Sequence, residues 1–298
     1  MKNSRLTILF FVAILALIFS FLLNVSLGSV SIYPDEILEG LIAGSWVKTS
    51  HAQIILNYRL PKALVAILAG VGLSLSGLQM QTFFRNPLAG PFVLGISSGA
   101  GLGVALLMLA GSAFGIAALS GGLSAWAIVG AGTLGAALVM VLVSLVAWRI
   151  QDSMTLLIVG LMFGSAVSAI VSVLSYYSGA EALKLFTVWS MGSLGGLAWP
   201  QVLVLGSVVV IGILPVIFSV KSFNAMLLGE RYAKSMGVNP TFLRWMMILS
   251  TGLLAGSITA FCGPIAFIGI AVPHLARIIW KTADHRILFP ASAIIGAI

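Results

Sequence analysis

Long apolar runs separated by short polar stretches organise this chain. Candidate membrane spans lie at residues 6–27, 61–83, 92–110, 122–147, 154–177, 201–219, 242–262 and 264–280. Each is near the roughly 20 mainly apolar residues that a helix needs to cross a hydrocarbon core of about 30 Å. A ninth apolar run opens at Ile287 and reaches Ile298. As helix it is roughly 18 Å long, too short to cross, so the chain is expected to stop inside a span. Lys2 and Arg5 precede the first run, as they would in a signal peptide. That run is long for such a peptide and no A-x-A cleavage site follows it, so a retained first helix is expected.

Composition narrows the class. Of 298 residues, 60% are hydrophobic and 7% charged, where an average soluble domain carries about 25% charged residues. A soluble domain needs more polar surface than this. The apolar excess excludes disorder, and a single cysteine, Cys262, excludes a disulfide scaffold. The formal net charge is +8, but the basic residues are scattered, so nucleic acid is not an expected partner. The expected fold is an all-α polytopic membrane protein, with one transmembrane domain over residues 1–298 and membrane lipid around it. Placing the N-terminus in the cytoplasm leaves only Lys48, Arg59, Lys62 and Lys184 of the 15 basic residues outside. The positive-inside rule favours that orientation.

Several spans are unusual. Gly-x-x-x-Gly spacing occurs at Gly95/Gly99, Gly99/Gly103, Gly111/Gly115, Gly160/Gly164, Gly192/Gly196 and Gly252/Gly256, the pattern of closely approaching helices. Gly130-Ala-Gly-Thr-Leu-Gly135 matches the dinucleotide fingerprint in letters only, since it lies mid-span without a βαβ unit. Two segments are expected to interrupt helices at membrane depth. One is Arg85-Asn-Pro-Leu-Ala-Gly-Pro91 with the following Gly95-Ile-Ser-Ser-Gly-Ala-Gly101. The other runs from Gly263-Pro264 to Pro273-His-Leu-Ala-Arg277, with a short helix expected between its two prolines. Irregular backbone survives there only inside protein or beside a water-filled cavity, a common arrangement in transporters.

The longest polar inner segment is 221–240. Glu230 to Met236 is expected to form a short helix, with Gly237 just past its end and Pro240 as a stop. Tyr232, Ala233 and Met236 would share one face, ringed by Glu230, Arg231 and Lys234. Such a tethered amphipathic helix suits a lipid surface or a partner's groove equally well.

Much chemistry is absent. There is no P-loop sequence, no H-E-x-x-H and no Cys/His cluster, so neither resident ATP nor a metal is expected. His51, His274 and His285 are far apart, and His274 with Arg277 reads as an interface anchor. Ser97 and Ser98 lack an acid–base partner for catalysis. No span interior carries Asp or Glu, which argues against an ion-coupled carrier. Transport would then need an external motor, and 221–240 is the place to attach it.

The chain resembles the FecCD-like (BtuC-like) permease subunits of vitamin B12 and iron-chelate ABC importers. The resemblance is carried by Arg59-Leu-Pro-Lys62, Gly70-Val-Gly-Leu-Ser-Leu-Ser-Gly-Leu-Gln79, Arg85 to Pro91, Leu94 to Ala100, Leu228 to Gly237, Gly263 to Gly269, Pro273 to Arg277 and Asp284-His-Arg286. It implies a BtuC-like bundle of about ten spans, nine of them begun here, in a homodimer. It also implies two cytoplasmic ATPase subunits, on which ATP and magnesium act, and a periplasmic or lipid-anchored binding protein. Gly229, Glu230, Arg231, Ala233, Met236, Gly237 and Val238 would form the ATPase-coupling helix. Arg59 and Lys62 would pair with acidic residues of the binding protein. Lys62 replaces the family's arginine and loses its bidentate fork. Asn86, Pro87, Leu88, Ser153 and Met154 would narrow the pathway. The implied function is a non-enzymatic translocation subunit in the bacterial cytoplasmic membrane, carrying a ferric siderophore, haem or cobalamin. An ion-coupled secondary carrier with broken helices is the alternative.

Overall fold

The structure, a computed structural model, describes residues 2–110, 125–149 and 152–298. The described residues form helices and connecting turns, without strands. In order the helices are α1 (Lys2–Ser26), α2 (Pro34–Ala43), α3 (Thr49–Ile54), α4 (Leu60–Phe83), α5 (Ile96–Ala105), α6 (Ala125–Arg149), α7 (Ser153–Tyr177), α8 (Ala180–Ser190), α9 (Trp199–Leu227), α10 (Glu230–Ser235), α11 (Pro240–Cys262), α12 (Ile268–Trp280) and α13 (His285–Ala297). Six helical stretches are long and apolar enough to span: Ser4–Ser26, Thr49–Phe83, Ala125–Ala147, Met154–Tyr177, Trp199–Leu227 and Pro240–Cys262. Ile96–Ala110 and Ile268–Trp280 are shorter apolar helices, as the two interruptions required.

α4 and α11 form the centre. In each, 72% of the apolar window is buried, against 6% in α1, which leaves α1 on the periphery. The glycine pattern sets the closest contacts. Gly99 and Gly103 of α5 face Gly135 and Ala131 of α6, and a Cβ at Gly103 would lie 2.0 Å from the Ala131 carbonyl oxygen. Of the fingerprint's glycines, Gly135 faces Gly99 of α5 and Gly132 faces Ala260 of α11, while Gly130 meets nothing within 4 Å. Gly192 and Gly196 instead sit in a loop with φ of 73° and 88°, so their spacing has another cause. Gly111/Gly115, and the start of the expected 122–147 span, lie outside the described residues.

The structure corrects several expected boundaries. α3, a widened π turn at Ile55–Arg59 and α4 run on as one helix from Thr49 to Phe83, well before residue 61. α9 continues past residue 219 to Leu227, so the connecting segment proper is shorter than 221–240. Pro240 starts α11 rather than stopping α10; a proline in the first turn forfeits no helical hydrogen bond. Pro273 does not end a short helix either, but lies inside α12. Its missing N–H frees the Gly269 carbonyl, which turns to the backbone of Gly77 in α4. The approach is so close that a Cβ on Gly77 would lie 1.7 Å from that oxygen, a geometry that Cα–H···O contact accommodates.

Candidate functional site

The end of the bundle that carries α10 is built from three chain corners. The first follows α4. Arg85 takes φ of 48°, the Asn86 side chain accepts from the Leu88 backbone N–H at 2.9 Å, and Ala89 donates to the Asn86 carbonyl at 3.1 Å. This tight turn exposes Leu88. A Pro91–Leu94 turn and Gly95, at φ of 70°, then lead into α5. The second corner precedes α7. Asp152 caps that helix, accepting from the Thr155 backbone at 2.8 Å and hydroxyl at 2.6 Å. These bonds hold the Asp152 carboxyl below its usual pKa, the Thr155 hydroxyl contributing most. Ser153 is the first residue of α7 and Met154 beside it is exposed.

The third corner is α10. Gly229, at φ of 111°, makes the bend from α9. The helix closes as a Schellman motif: Val238 donates to the Ala233 carbonyl at 3.0 Å and Gly237, at φ of 82°, to Lys234 at 3.0 Å. Asn239 then caps α11 by accepting from Phe242 at 3.1 Å. One expectation fails here. Ala233 is 0% exposed and packs into the core, whereas Tyr232 is 54% and Met236 59% exposed. Ala233 does not share the exposed face of Tyr232 and Met236, because the short helix lies with Ala233 against the bundle of α9 and α11 and its outer side in the open. Arg244, which the sequence reading did not single out, secures α10 from α11. Its guanidinium lies 3.6 Å from Glu230 and over the Phe83 ring at 5.7 Å. A cavity of about 990 Å³ opens between the three corners, lined by Arg85, Asp152, Met154, Glu230, Tyr232 and Arg244 among others. The structure therefore brings the expected coupling residues and the expected narrowing residues to one end.

Arg59 and Lys62 lie at the opposite end and differ sharply. Arg59 is only 8% exposed. Its guanidinium donates to the carbonyls of Val25 at 2.9 Å, Ser26 at 2.7 Å and Val30, and it lies over Gly28. These are orphan carbonyls at and beyond the C-terminus of α1, and a cation is well placed there. Lys62 is exposed on a shallow recess of about 360 Å³ with Ser20, Asn24 and Leu27. Nearby, His51 Nδ1 and Glu36 Oε1 pair at 2.7 Å between α3 and α2. Among the described residues, no cluster of metal-ligating side chains occurs. His274 is exposed, while Arg277 is held by the Gln81 side chain of α4.

The described residues form an all-helical protein with helices long and apolar enough to span a membrane, interrupted helices between them and a small, largely exposed helix at one end. Residues 16–298 match the FecCD transport family, and the chain belongs to it. It is a BtuC-like permease of the ABC-importer class, integral to the membrane. It is similar to the vitamin B12 import system permease proteins BtuC of Salmonella paratyphi A and Salmonella typhimurium. Each is 34% identical over 259 residues, covering 86% of this chain and 75% of the relative. A solved structure of an inward-facing metal-chelate type ABC transporter superposes with a TM-score of 0.83 at 28% identity, covering 96% of this chain and 86% of that one.

Proposed function

We propose that the chain translocates a metal chelate (ferric siderophore, haem or cobalamin) across the cytoplasmic membrane, driven by a separate ATPase through α10. The observation that carries this reading is the mounting of α10. Ala233 and the Arg244–Glu230 pair fix the helix to the bundle, while Arg231, Tyr232, Ser235 and Met236 stand exposed for a partner. The relatives' names supply the class of cargo.

In this reading two copies form the pathway between them and two ATPase subunits, which bind ATP and magnesium, sit beneath. A periplasmic or lipid-anchored binding protein docks at the far end. The N-terminus and α10 are then cytoplasmic. Movement of α10 reaches the turn Asn86–Pro87–Leu88 and the start of α7 at Ser153 and Met154, which narrow the pathway. A wall of small and apolar side chains releases a bulky cargo as readily as it admits it. Docking rests on Lys62, while Arg59 supports it indirectly by holding the end of α1.

Reconstitution in proteoliposomes with the partner ATPase and binding protein tests this reading. Cyanocobalamin, haem and a ferric hydroxamate are the cargo probes. The expected result is accumulation of one of them only with ATP on the ATPase side. Uptake driven by an ion gradient, without the ATPase, would establish the secondary-carrier alternative.

A further inference from the structure

Four polar side chains meet at the α10 end, where the apolar composition makes polarity costly: His285 and Thr82 are buried, Asn224 and Asp284 half-buried. His285, the first residue of α13, is 1% exposed. It stacks on Phe223 with centroids 5.5 Å apart and leans on Phe289 at 5.2 Å. Its Nδ1 lies 2.9 Å from the Asn224 side-chain oxygen, and its backbone N–H donates to the same oxygen at 2.8 Å. The other end of that amide donates to Asp284 Oδ1 at 2.6 Å. Because the amide oxygen only accepts, Nδ1 is the donor, and Nε2 is left to accept from the Thr82 hydroxyl 2.8 Å away. That hydroxyl also lies 2.9 Å from the Leu78 carbonyl, its alternative acceptor.

The ends of this chain of contacts are what give it meaning. Asn224 sits in the last turn of α9, just ahead of the Gly229 bend and α10. Thr82 sits in the last turn of α4, and its carbonyl accepts from Arg85 at 3.4 Å. The neighbouring Gln81 carbonyl accepts from Asn86 at 3.1 Å, so the 85–89 turn hangs from residues 81 and 82. The Gln81 side chain reaches α12, donating to the Ile270 carbonyl at 3.2 Å.

We infer that Asn224, His285 and Thr82 are positioning residues that carry displacement of α10 to the turn bearing Leu88, with Asp284 holding the Asn224 amide in register. The inference rests on the coupling role proposed for α10. The hydrogen-bonded chain is anchored on the buried His285, whose imidazole must move with its partners or be left unpaired. A pull on the end of α9 therefore reaches α13 and α4 together.

Distances between spin labels in the assembled transporter test this, with Cys262→Ala as background. Labels at Leu88→Cys and Tyr176→Cys report the turn, and labels at Lys234→Cys and Tyr176→Cys report α10; all three sites are exposed. In the otherwise unaltered protein both distances change on trapping ATP. In Thr82→Val, which keeps the shape and removes the hydroxyl, the α10 distance still changes and the Leu88 change is lost. Thr82→Ser restores it. His285→Phe, which retains the stacking, behaves like Thr82→Val. Persistence of the Leu88 change in both Thr82→Val and His285→Phe would overturn the relay. Absence of any α10 change in the unaltered complex would instead overturn the coupling reading beneath it.

Discussion

Arg59 shows how one largely buried side chain can hold an end of the bundle together. Its three carbonyl partners close the C-terminus of α1 and the chain leaving it. Arg59→Ala strands those carbonyls, and bonds to a charged donor contribute about 1.5–3 kcal/mol. The variant is expected to be destabilised by about 2–3 kcal/mol, read as a lower melting temperature in detergent. Arg59→Lys recovers only part, since an ammonium cannot span the fork. Lys62→Glu should leave melting unchanged and weaken binding-protein capture, most at low salt, because exposed pairs are screened. A capture defect in Arg59→Ala with melting intact would restore Arg59 as a direct contact. Asp284 offers a second residue-level test. The Arg286 backbone N–H, with help from Asn224, holds its carboxyl below the usual range against an opposing effect of burial. Its stabilisation is full above the ordinary carboxylate pKa of about 3.9 and drains as pH falls through the lowered folded value. Asp284→Ala should therefore melt below the parent at neutral pH, and the gap should close towards pH 3.

At the scale of elements, packing rather than propensity decides where helices start, stop and touch. Gly77→Ala places a Cβ against the Gly269 carbonyl, and backbone cannot swing aside as a side chain can. Overpacking of this kind costs about 1–3 kcal/mol. Gly101→Ala meets nothing within 4 Å and should be neutral or slightly stabilising, since alanine is the better helix former. Paired melting curves check both; equal loss in the two variants would show that helix propensity, not the α4–α12 approach, is being measured. The same contrast marks what the sequence could reveal. Apolar runs and Gly-x-x-x-Gly spacing exposed the long helices and the α5–α6 seam, because both are local and periodic. The passage of α12 through Pro273 was hidden, since it depends on Gly77, far away in sequence, to receive a freed carbonyl. The extension of α4 back to Thr49 was hidden too, because polar residues there gave no apolar signal. Gly237 past the end of α10 was legible, yet the role of Pro240 and the buried face of the helix were not, since these depend on how α9 and α11 meet.

Across the whole molecule, α4 and α11 are laid out alike. Each is a buried central helix followed by a proline-bearing break and then a short apolar helix, α5 or α12. The breaks let both corners reach into the bundle, while α10 remains outside it. A force applied to α10 therefore acts on a rigid centre through few attachments, and the identity of the exposed face of α10 becomes decisive. Tyr232 and Met236 face outward, so Tyr232→Ala combined with Met236→Ser should leave melting unchanged and reduce co-purification of the ATPase subunit at least tenfold. Ala233→Asp should do the opposite first. It buries an unpaired carboxylate at a fully enclosed position, at a cost of about 3 kcal/mol or more. Its melting temperature should drop before any effect on the ATPase can be read. Undiminished ATPase binding in the Tyr232/Met236 double variant, with transport intact, would move the partner contact elsewhere on this end, to the cavity walls around Arg85 and Asp152.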